Sequence, residues 1–237
     1  MTESQRTGTA EEVLTGVSLL ADLPETKLRA LAARCRWHRA RPNDHIIDHD
    51  SHTKDVFFVI RGRVRIVVYS LSGQKISFED IGPGSHFGEL AAIDGQPRSA
   101  SVVALDEVLL ASLSPREFID LVTSHRSATL ALLSGLSSML RQADKRIMDL
   151  STLAANNRVY AELLRLASAD ARPDGTAEIR PIPLHGDIAS RVSTTRETVN
   201  RVLSALAKSG LVGRKRETLV ILDMMRLAEM VEEFKGE

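Results

Sequence analysis

Glycine, glutamate, arginine and serine occur together in one short segment and have the chemistry needed to hold a small anion. The segment reads FGELAAIDGQPRSASV. Gly88 allows a ligand to approach the backbone closely, and a short helix beginning at Glu89 would turn free N–H groups towards an anion. Arg98 has paired donors for phosphate oxygens, and Ser99 adds a hydroxyl. Because Glu89 can also accept a hydrogen bond from a ribose hydroxyl, the set predicts a sugar-phosphate site.

A surface turn with a solvated arginine is the simpler interpretation of an isolated Gly-Glu or Arg-Ser pair. Here both pairs occur together, inside a region whose residue pattern is rich in short strands. Their joint occurrence favours a binding site over a chance turn.

A second segment has the pattern of a helix-turn-helix that reads DNA. Residues 182–211 read IPLHGDIASRVSTTRETVNRVLSALAKSGL, two helical patterns joined by a polar turn at Ser193-Thr194. The second pattern exposes Arg196, Glu197, Asn200 and Arg201 near its amino end. Arginine can contact guanine at two atoms and glutamate can accept from cytosine, so this face suits a major groove. An ordinary solvated helix start is the alternative.

The charge distribution supports a nucleic-acid partner only locally. The chain has 31 basic and 31 acidic residues and no net charge. Within residues 180–217, however, eight Lys or Arg residues stand against three Asp or Glu residues. Apolar runs on either side of Gly213-Arg214-Lys215-Arg216 predict a hairpin wing with a basic tip, which would contact phosphates.

Two further patterns place these segments in a fold. From about residue 45 the apolar residues recur at every second position, as in Val64, Ile66 and Val68, and in Ile76 and Phe78. Frequent turns, such as Ser72-Gly73, punctuate these strands. We therefore predict an α+β protein: an amino-terminal antiparallel β-roll, a long helix and a carboxy-terminal winged helix-turn-helix.

The long helix has the apolar spacing of a coiled coil. Its apolar residues alternate at intervals of three and four. They are Leu133, Leu136, Leu140, Ala143, Ile147 and Leu150. This seam predicts a homodimer, although a seam that faces its own domain would also be amphipathic. The seam lapses near residue 153, so we predict domains at 11–114, 115–152 and 153–237.

Composition argues against several other classes of protein. Cys35 is the only cysteine, which excludes internal disulfides and all-cysteine metal sites and fits a reducing cytoplasm. The histidines show no metal or triad spacing, so we predict neither a metal site nor catalytic residues. No signal core or membrane span is apparent. The first ten or so residues have a composition typical of disorder.

The phosphate-binding segment resembles the cassette of cyclic-nucleotide-binding domains, which combines an FGEL-type start with a later Pro-Arg-Ser/Ala-Ala. The resemblance implies that Gly88, Glu89, Leu90, Arg98, Ser99 and Ala100 hold the cyclic phosphate and ribose, with Ala91 in the same short helix. Where nucleotide-activated relatives present a Thr-Ser pair to adenine, this chain has Ala143-Asp144. Asp144 can accept from adenine or guanine, so cAMP and cGMP both remain candidates. The alternative is that Asp144 only forms an ion pair with Arg141 on a solvated helix face and does not contact a base.

The string TTRETVNRVL resembles the recognition helix of the cyclic-AMP receptor protein family. The resemblance implies that the base contacts are made by Arg196, Glu197 and Arg201. Thr195, Thr198, Asn200 and Arg191 complete the predicted DNA contacts.

The same resemblance implies a palindromic double-stranded operator with TGTGA-like arms and contact with RNA polymerase. We thus predict a transcription regulator gated by a cyclic nucleotide, not an enzyme. The alternative is a nucleotide-binding regulatory subunit that docks a protein partner.

Overall fold

The structure is a computed structural model in which residues 14–69 and 75–232 are described. Side chains from residue 69 to residue 78 lie outside this description. The predicted disorder at the amino terminus, the turn at Ser72-Gly73 and the side chains of Ile76 and Phe78 therefore stay predictions. The chain divides into two compact units, residues 1–139 and residues 140–237, and one long helix contributes to both. This division differs from the predicted limits of three segments, which also stay predictions.

The first unit contains the predicted antiparallel β-roll. Its strands are β1 (Arg36–Ala40), β2 (His45–Ile47), β3 (Val56–Arg61), β4 (Val64–Tyr69), β5 (Lys75–Ile81), β6 (His86–Phe87), β7 (Ser101–Ala104) and β8 (Val108–Leu113). They form two four-stranded sheets, in the orders β1-β8-β3-β6 and β2-β7-β4-β5. Every pairing in both sheets is antiparallel. Residues from both sheets form a shared apolar core that includes Val64, Val102, Phe87 and Leu110.

The pairing of β4 with β5 is interrupted at one point. It shifts register after Ile66, as it does at a β-bulge: Ile66 pairs with Glu79 and Val67 with Ser77, so the residue without a partner lies in β5. The pairing of β4 with β7 runs through the same two residues without a shift. The alternation in β4 therefore continues, because Ile66 packs against the core that contains Val64, whereas the buried Val67 does not belong to that core.

Helices close one side of the roll around a second apolar core. They are α1 (Glu25–Ala32), α2 (Glu89–Asp94) and α3 (Pro115–Ser124). Ser114 begins α3 with a capping box, in which its side chain and that of Glu117 each bond the other's backbone N–H. Arg34 donates to Glu117 over 2.9 Å, which ties α3 to the end of α1. Cys35 lies in this core, and burial raises its pKa to about 11.

A helix of 27 residues, α4 (Arg126–Thr152), follows α3. Its first turns pack into the core of the first unit through Ala128 and Leu132. Beyond them most of the predicted seam is exposed in the single chain: Leu133 at 53%, Leu140 at 63% and Ile147 at 61%. A row of exposed large apolar side chains is costly in water, so this helix has the surface that a coiled-coil partner would cover.

The second unit is the predicted winged helix-turn-helix. Its helices after α4 are α5 (Ala155–Ala167), α6 (His185–Arg191), α7 (Arg196–Lys208) and α8 (Met224–Glu232). Three strands, β9 (Ala177–Ile179), β10 (Val212–Lys215) and β11 (Thr218–Ile221), form a sheet in the order β10-β11-β9. All these elements contribute to one apolar core, which includes Leu163, Ile188, Val199, Leu206 and Ile221.

In the described part of the chain, no helix combines the length and the apolar character that a membrane span requires.

Candidate nucleotide and DNA sites

Gly88 makes the turn that starts the predicted anion-binding segment. It joins β6 to α2 with a φ of 88°, in the left-handed region that favours glycine. A Cβ atom at this position would lie 2.7 Å from Nη1 of Arg98 and 2.9 Å from the carbonyl oxygen of Asp55. Glycine is therefore required at this position for two reasons: the backbone conformation, and the guanidinium group packed against it.

Arg98 is 3% exposed and holds the segment together. Its Nη1 donates to the Gly88 carbonyl over 2.8 Å, its Nη2 to the Asp55 carbonyl over 2.7 Å and its Nε to Thr53 Oγ1 over 3.2 Å. Burial lowers the pKa of Arg98, and the nearby Asp55 and Glu89 charges oppose that shift. A guanidinium has more N–H donors than these bonds use, so Arg98 can still donate to a ligand.

The surroundings of the Glu89 carboxylate are the strongest structural evidence for a bound ligand. Glu89 is 6% exposed, and no described residue donates a hydrogen bond to its carboxylate. His86 lies close enough for Glu89 to raise its pKa, although burial of the imidazole has the larger, lowering effect. A buried carboxylate without a hydrogen bond costs free energy, and a hydroxyl from a ligand would relieve that cost. A ribose hydroxyl has this chemistry.

The other cassette residues differ in exposure. Ser99 is exposed with no hydrogen bond from its side chain in the described structure, so its hydroxyl is available. Leu90 and Ala100 are half-buried, and the methyl of Ala91 is buried, which leaves only its backbone for a ligand. The structure thus brings Gly88, Glu89 and Arg98 together.

Asp144 lies in the second unit, on the exposed surface of α4. Within the described residues Asp144 makes no ion pair with Arg141, so the alternative of a purely local ion pair gains no support. Its role towards the base stays a prediction.

The recognition helix begins at Arg196, as the sequence predicts. Thr195 is its N-cap, and the Thr195 hydroxyl accepts from the backbone N–H of Thr198 over 3.2 Å. Val199, Val202 and Leu206 face the core. Arg196, Glu197, Asn200 and Arg201 are exposed, and Thr198 is half-buried. The predicted reading residues therefore share a solvent-facing surface that a DNA groove can accept.

Arg158 of α5 fixes the turn before the recognition helix, and sequence patterns gave no sign of it. Its guanidinium donates to the carbonyl oxygens of Val192 over 2.8 Å, Ser193 over 3.0 Å and Leu153 over 2.8 Å. Ser193 has a φ of 50°, an uncommon conformation for a residue with a side chain. Arg158 thus holds a strained turn in place. An arginine in a helical pattern is usually solvated, so only the fold reveals this role.

Arg191 differs from the other predicted DNA contacts. Its side chain is only 14% exposed, and its Nε lies 3.9 Å from Oε1 of Glu162. This ion pair inside the unit favours a structural role for Arg191, and its predicted contact with phosphate stays a prediction.

The wing and the start of α6 extend the basic surface. β10 and β11 form the predicted hairpin, and Arg214, Lys215 and Arg216 are exposed at its tip. The backbone N–H of Ile182 donates to the Glu217 carbonyl, which brings the segment before α6 against the wing. His185 is half-buried beside Arg196 and Arg214. Burial lowers its pKa most, and the charges of the two arginines lower it further. The guanidinium groups of Arg196 in α7 and Arg214 in the wing therefore lie near the His185 imidazole at the start of α6.

Among the described residues, no group of His, Cys, Asp and Glu side chains is arranged to hold a metal ion. Comparison with known proteins agrees with a binding function. The cyclic nucleotide-binding domain family matches residues 37–125, and the Crp-like helix-turn-helix domain family matches residues 157–230.

Two curated relatives are similar over most of their length. The chain is 34% identical to the cyclic AMP receptor protein of Thermus thermophilus, over 74% of this chain and 78% of the relative. It is 31% identical to the cAMP-activated global transcriptional regulator Vfr of Pseudomonas aeruginosa, over 82% of this chain and 92% of the relative. Both are named as receptor or regulator proteins, which does not favour the alternative of a protein-docking subunit.

A solved structure of a CooA mutant from Carboxydothermus hydrogenoformans has the same fold. It superposes with a TM-score of 0.74 at 21% identity, over 85% of this chain and 90% of that chain. The cassette, the recognition helix and these relatives lead to one conclusion: the chain belongs to the cyclic AMP receptor protein family of bacterial transcription regulators.

Proposed function

We propose that this protein binds cAMP and, in response, binds a palindromic operator as a homodimer. The observation that carries the ligand proposal is the buried Glu89 carboxylate, which accepts no hydrogen bond from any described residue and lies close to the buried Arg98. Arg98 and Ser99 would bind the cyclic phosphate, and Glu89 the ribose. Relatives named for cAMP support this ligand. cGMP is the competing ligand, because Asp144 can accept from the N1–H and amino group of guanine.

The DNA proposal depends on the exposed polar face of α7. Arg196, Glu197 and Arg201 would read bases, while Thr195, Thr198 and the wing would contact phosphates. A dimer formed along the α4 seam would present two such helices, which must lie about 34 Å apart to enter successive major grooves. A two-fold symmetric operator with TGTGA-like arms follows from that symmetry. As a regulator of transcription, it would act in the cytoplasm through contact with RNA polymerase.

Ligand and operator binding would be linked through the helices between them. Nucleotide would favour the arrangement in which both recognition helices fit the operator. Linkage then requires that operator DNA tighten nucleotide binding by the same factor. This reciprocity is a strong test, because two independent sites on one chain would not show it.

Calorimetric titration with cAMP and with cGMP tests the ligand. We expect the wild-type protein to bind cAMP more tightly, and Arg98→Ala to lose about 3 kcal/mol of binding free energy, because each bond to a charged group contributes about 1.5–3 kcal/mol. Arg196→Ala is the matched control, since it removes an exposed arginine from the other unit. No binding of either nucleotide to the wild type would contradict the proposal.

Duplex binding tests the second half of the proposal. We expect operator affinity to fall steeply with salt, as it does when phosphates are neutralised, and to rise when nucleotide is present. A protein-docking subunit would show neither effect. Equal operator affinity with and without saturating nucleotide would overturn the proposed gating.

A further inference from the structure

The segment that joins β2 to β3, residues 48–55, wraps around Arg98. The backbone N–H of Asp50 donates to the Arg98 carbonyl, and the Arg98 N–H donates to the Ser51 carbonyl, each over 3.0 Å. Asp50 makes its bond from a φ of 61°, in the left-handed region that is uncommon for a residue with a side chain. These backbone bonds hold Arg98 against the segment.

The same segment holds the guanidinium of Arg98. Its Thr53 Oγ1 accepts from Nε over 3.2 Å, and its Asp55 carbonyl accepts from Nη2 over 2.7 Å. Nη1 donates to the carbonyl of Gly88. Gly88 and Asp55 thus contribute backbone atoms, whereas Thr53 contributes a side chain. Within the described structure, Thr53 is therefore the partner of this guanidinium that a substitution can remove cleanly.

These bonds determine which N–H groups of Arg98 a ligand can reach. A guanidinium has one N–H on Nε and two on each terminal nitrogen. Thr53 takes the single Nε–H, and the two carbonyls take one N–H from each terminal nitrogen. One N–H on Nη1 and one on Nη2 remain. A phosphate bound by Arg98 must therefore be held through the terminal nitrogens, because the Nε edge is closed.

The Thr53 hydroxyl is well placed to close this edge. Thr53 is exposed, so its side chain is not needed to complete a core. A threonine side chain is branched at Cβ and is therefore stiff at χ1, which keeps the hydroxyl in one place. The Ser51 hydroxyl lies 3.3 Å from Thr53 Oγ1 and shares a hydrogen bond with it. The acceptor for Nε is thus fixed by the segment itself and needs no ligand.

We propose that Thr53 is a positioning residue of the nucleotide site: by binding Nε it directs the terminal nitrogens of Arg98 towards the ligand phosphate. This inference rests on the proposed binding of a cyclic nucleotide. Thr53 acts through Arg98 in this scheme and does not contact the ligand. Without the hydroxyl, the Nε–H would lose its acceptor, and the guanidinium would turn that edge towards the phosphate at the expense of its bonds to Gly88 and Asp55.

Calorimetric titration of the full chain with cAMP tests the effect on affinity. We expect Thr53→Val to weaken cAMP binding about tenfold, because a misaligned guanidinium loses about one charge-assisted hydrogen bond. Valine has the shape of threonine but no acceptor. Thr53→Ser keeps the acceptor, so its affinity should stay within about twofold of the wild type, as is usual for an exposed substitution.

Thr123→Val is the matched control. Thr123 is exposed on α3, and its hydroxyl donates to the Ile119 carbonyl of the same helix over 2.7 Å. The control variant thus loses an exposed threonine hydroxyl that does not contact Arg98. It should bind cAMP as the wild type does.

A second measurement follows Arg98 without any ligand. In the free protein, the proton–nitrogen NMR signal of the Arg98 Nε–H, identified by its absence in Arg98→Lys, reports the bond to Thr53. A buried, hydrogen-bonded N–H exchanges slowly with water. We expect this signal to shift and to exchange faster in Thr53→Val, and to keep its wild-type behaviour in Thr53→Ser and Thr123→Val.

Equal losses of affinity in Thr53→Val and Thr53→Ser would overturn the inference, because serine retains the acceptor. A Thr53→Val protein that binds cAMP as tightly as the wild type, whatever its melting temperature, would overturn it too. If the wild type binds neither cAMP nor cGMP, the proposed function fails, and the NMR signal decides the inference alone. An unchanged signal in Thr53→Val would then overturn it, whereas a changed signal would support Thr53 as the residue that orients Arg98.

Discussion

The proposed nucleotide site and the proposed DNA-reading surface use arginine in opposite ways. Arg98 is buried and donates to three groups of its own unit, so it would hold the proposed site together as well as bind a ligand. Arg196 and Arg201 are exposed on a helix that is held in place by Val199, Val202 and Leu206 on its other face. A substitution of Arg98 should therefore change both protein stability and nucleotide binding, whereas a substitution of Arg196 or Arg201 should change DNA binding without changing stability.

Gly88→Ala tests the proposed nucleotide site and should have the largest effect. The new Cβ would collide with Nη1 of Arg98 and with the Asp55 carbonyl, so the guanidinium must move. We expect nucleotide affinity to fall about 100-fold, which corresponds to the loss of two charge-assisted bonds at about 1.5 kcal/mol each. Calorimetry measures this loss, and thermal melting should show lower stability in the same variant.

Gly95→Ala is the control for that experiment. Gly95 also has a positive φ, of 73°, but a Cβ there would meet only the Lys54 ammonium group at 3.6 Å, an ordinary contact. Both variants strain the backbone, whereas only Gly88→Ala displaces Arg98. An equal loss of nucleotide affinity in the two variants would contradict the role assigned to Gly88.

Arg196→Ala tests the proposed DNA-reading surface. We expect it to weaken operator binding by about 1–3 kcal/mol and to relax the preference at one base pair. Its melting temperature should stay close to that of the wild type, because exposed substitutions usually change stability by less than about 0.5 kcal/mol. Competition binding with single-base operator variants measures both effects. A large fall in stability would break the contrast with Arg98.

A smaller effect is expected from the pH dependence of operator binding through His185. Burial, Arg196 and Arg214 lower the pKa of His185, so the free protein binds this proton less readily than an ordinary imidazole does. Phosphates at this surface would raise that pKa, and operator binding would take up a proton. Operator affinity should therefore rise about threefold as the pH falls through the ordinary histidine pKa of about 6.5.

His185→Gln isolates that contribution, because glutamine keeps a polar side chain that does not titrate. The variant should lose the rise in affinity at low pH, as measured by anisotropy between about pH 5.5 and 7.5. The depressed pKa also means that the folded free protein loses stability as the pH falls through the histidine range, so melting must be followed in parallel. An identical pH profile in variant and wild type would assign the effect to another group.

The sequence predicted most accurately what depends on local rules. The second helical pattern placed Arg196 near its amino end, and α7 begins at Arg196, with Thr195 as its N-cap. Alternation predicted the strands, but it gave no sign of the register shift in β5 opposite Ile66 and Val67, because that shift depends on how β4 and β5 pair. In the site, residue types predicted that the segment from Phe87 to Val102 binds an anion, and this role stays a prediction.

Sequence patterns could not identify the groups within the protein that these arginines contact. Arg98 bonds the carbonyl of Asp55, which lies 43 positions earlier in the chain, and Arg158 bonds that of Ser193, 35 positions later. Arg191 was predicted to contact DNA, but its side chain lies beside Glu162, which belongs to another helix. Whether an arginine faces solvent or the interior is decided by packing between elements distant in the chain.

The exposed seam of α4 has a consequence for gene control in the cell. If two copies must associate before both half-sites are read, operator occupancy depends on protein concentration as well as on nucleotide. At low copy number, occupancy would then rise with the square of the amount of protein. The row from Leu133 to Leu150 would thereby make the promoter sensitive to how strongly the regulator's own gene is expressed.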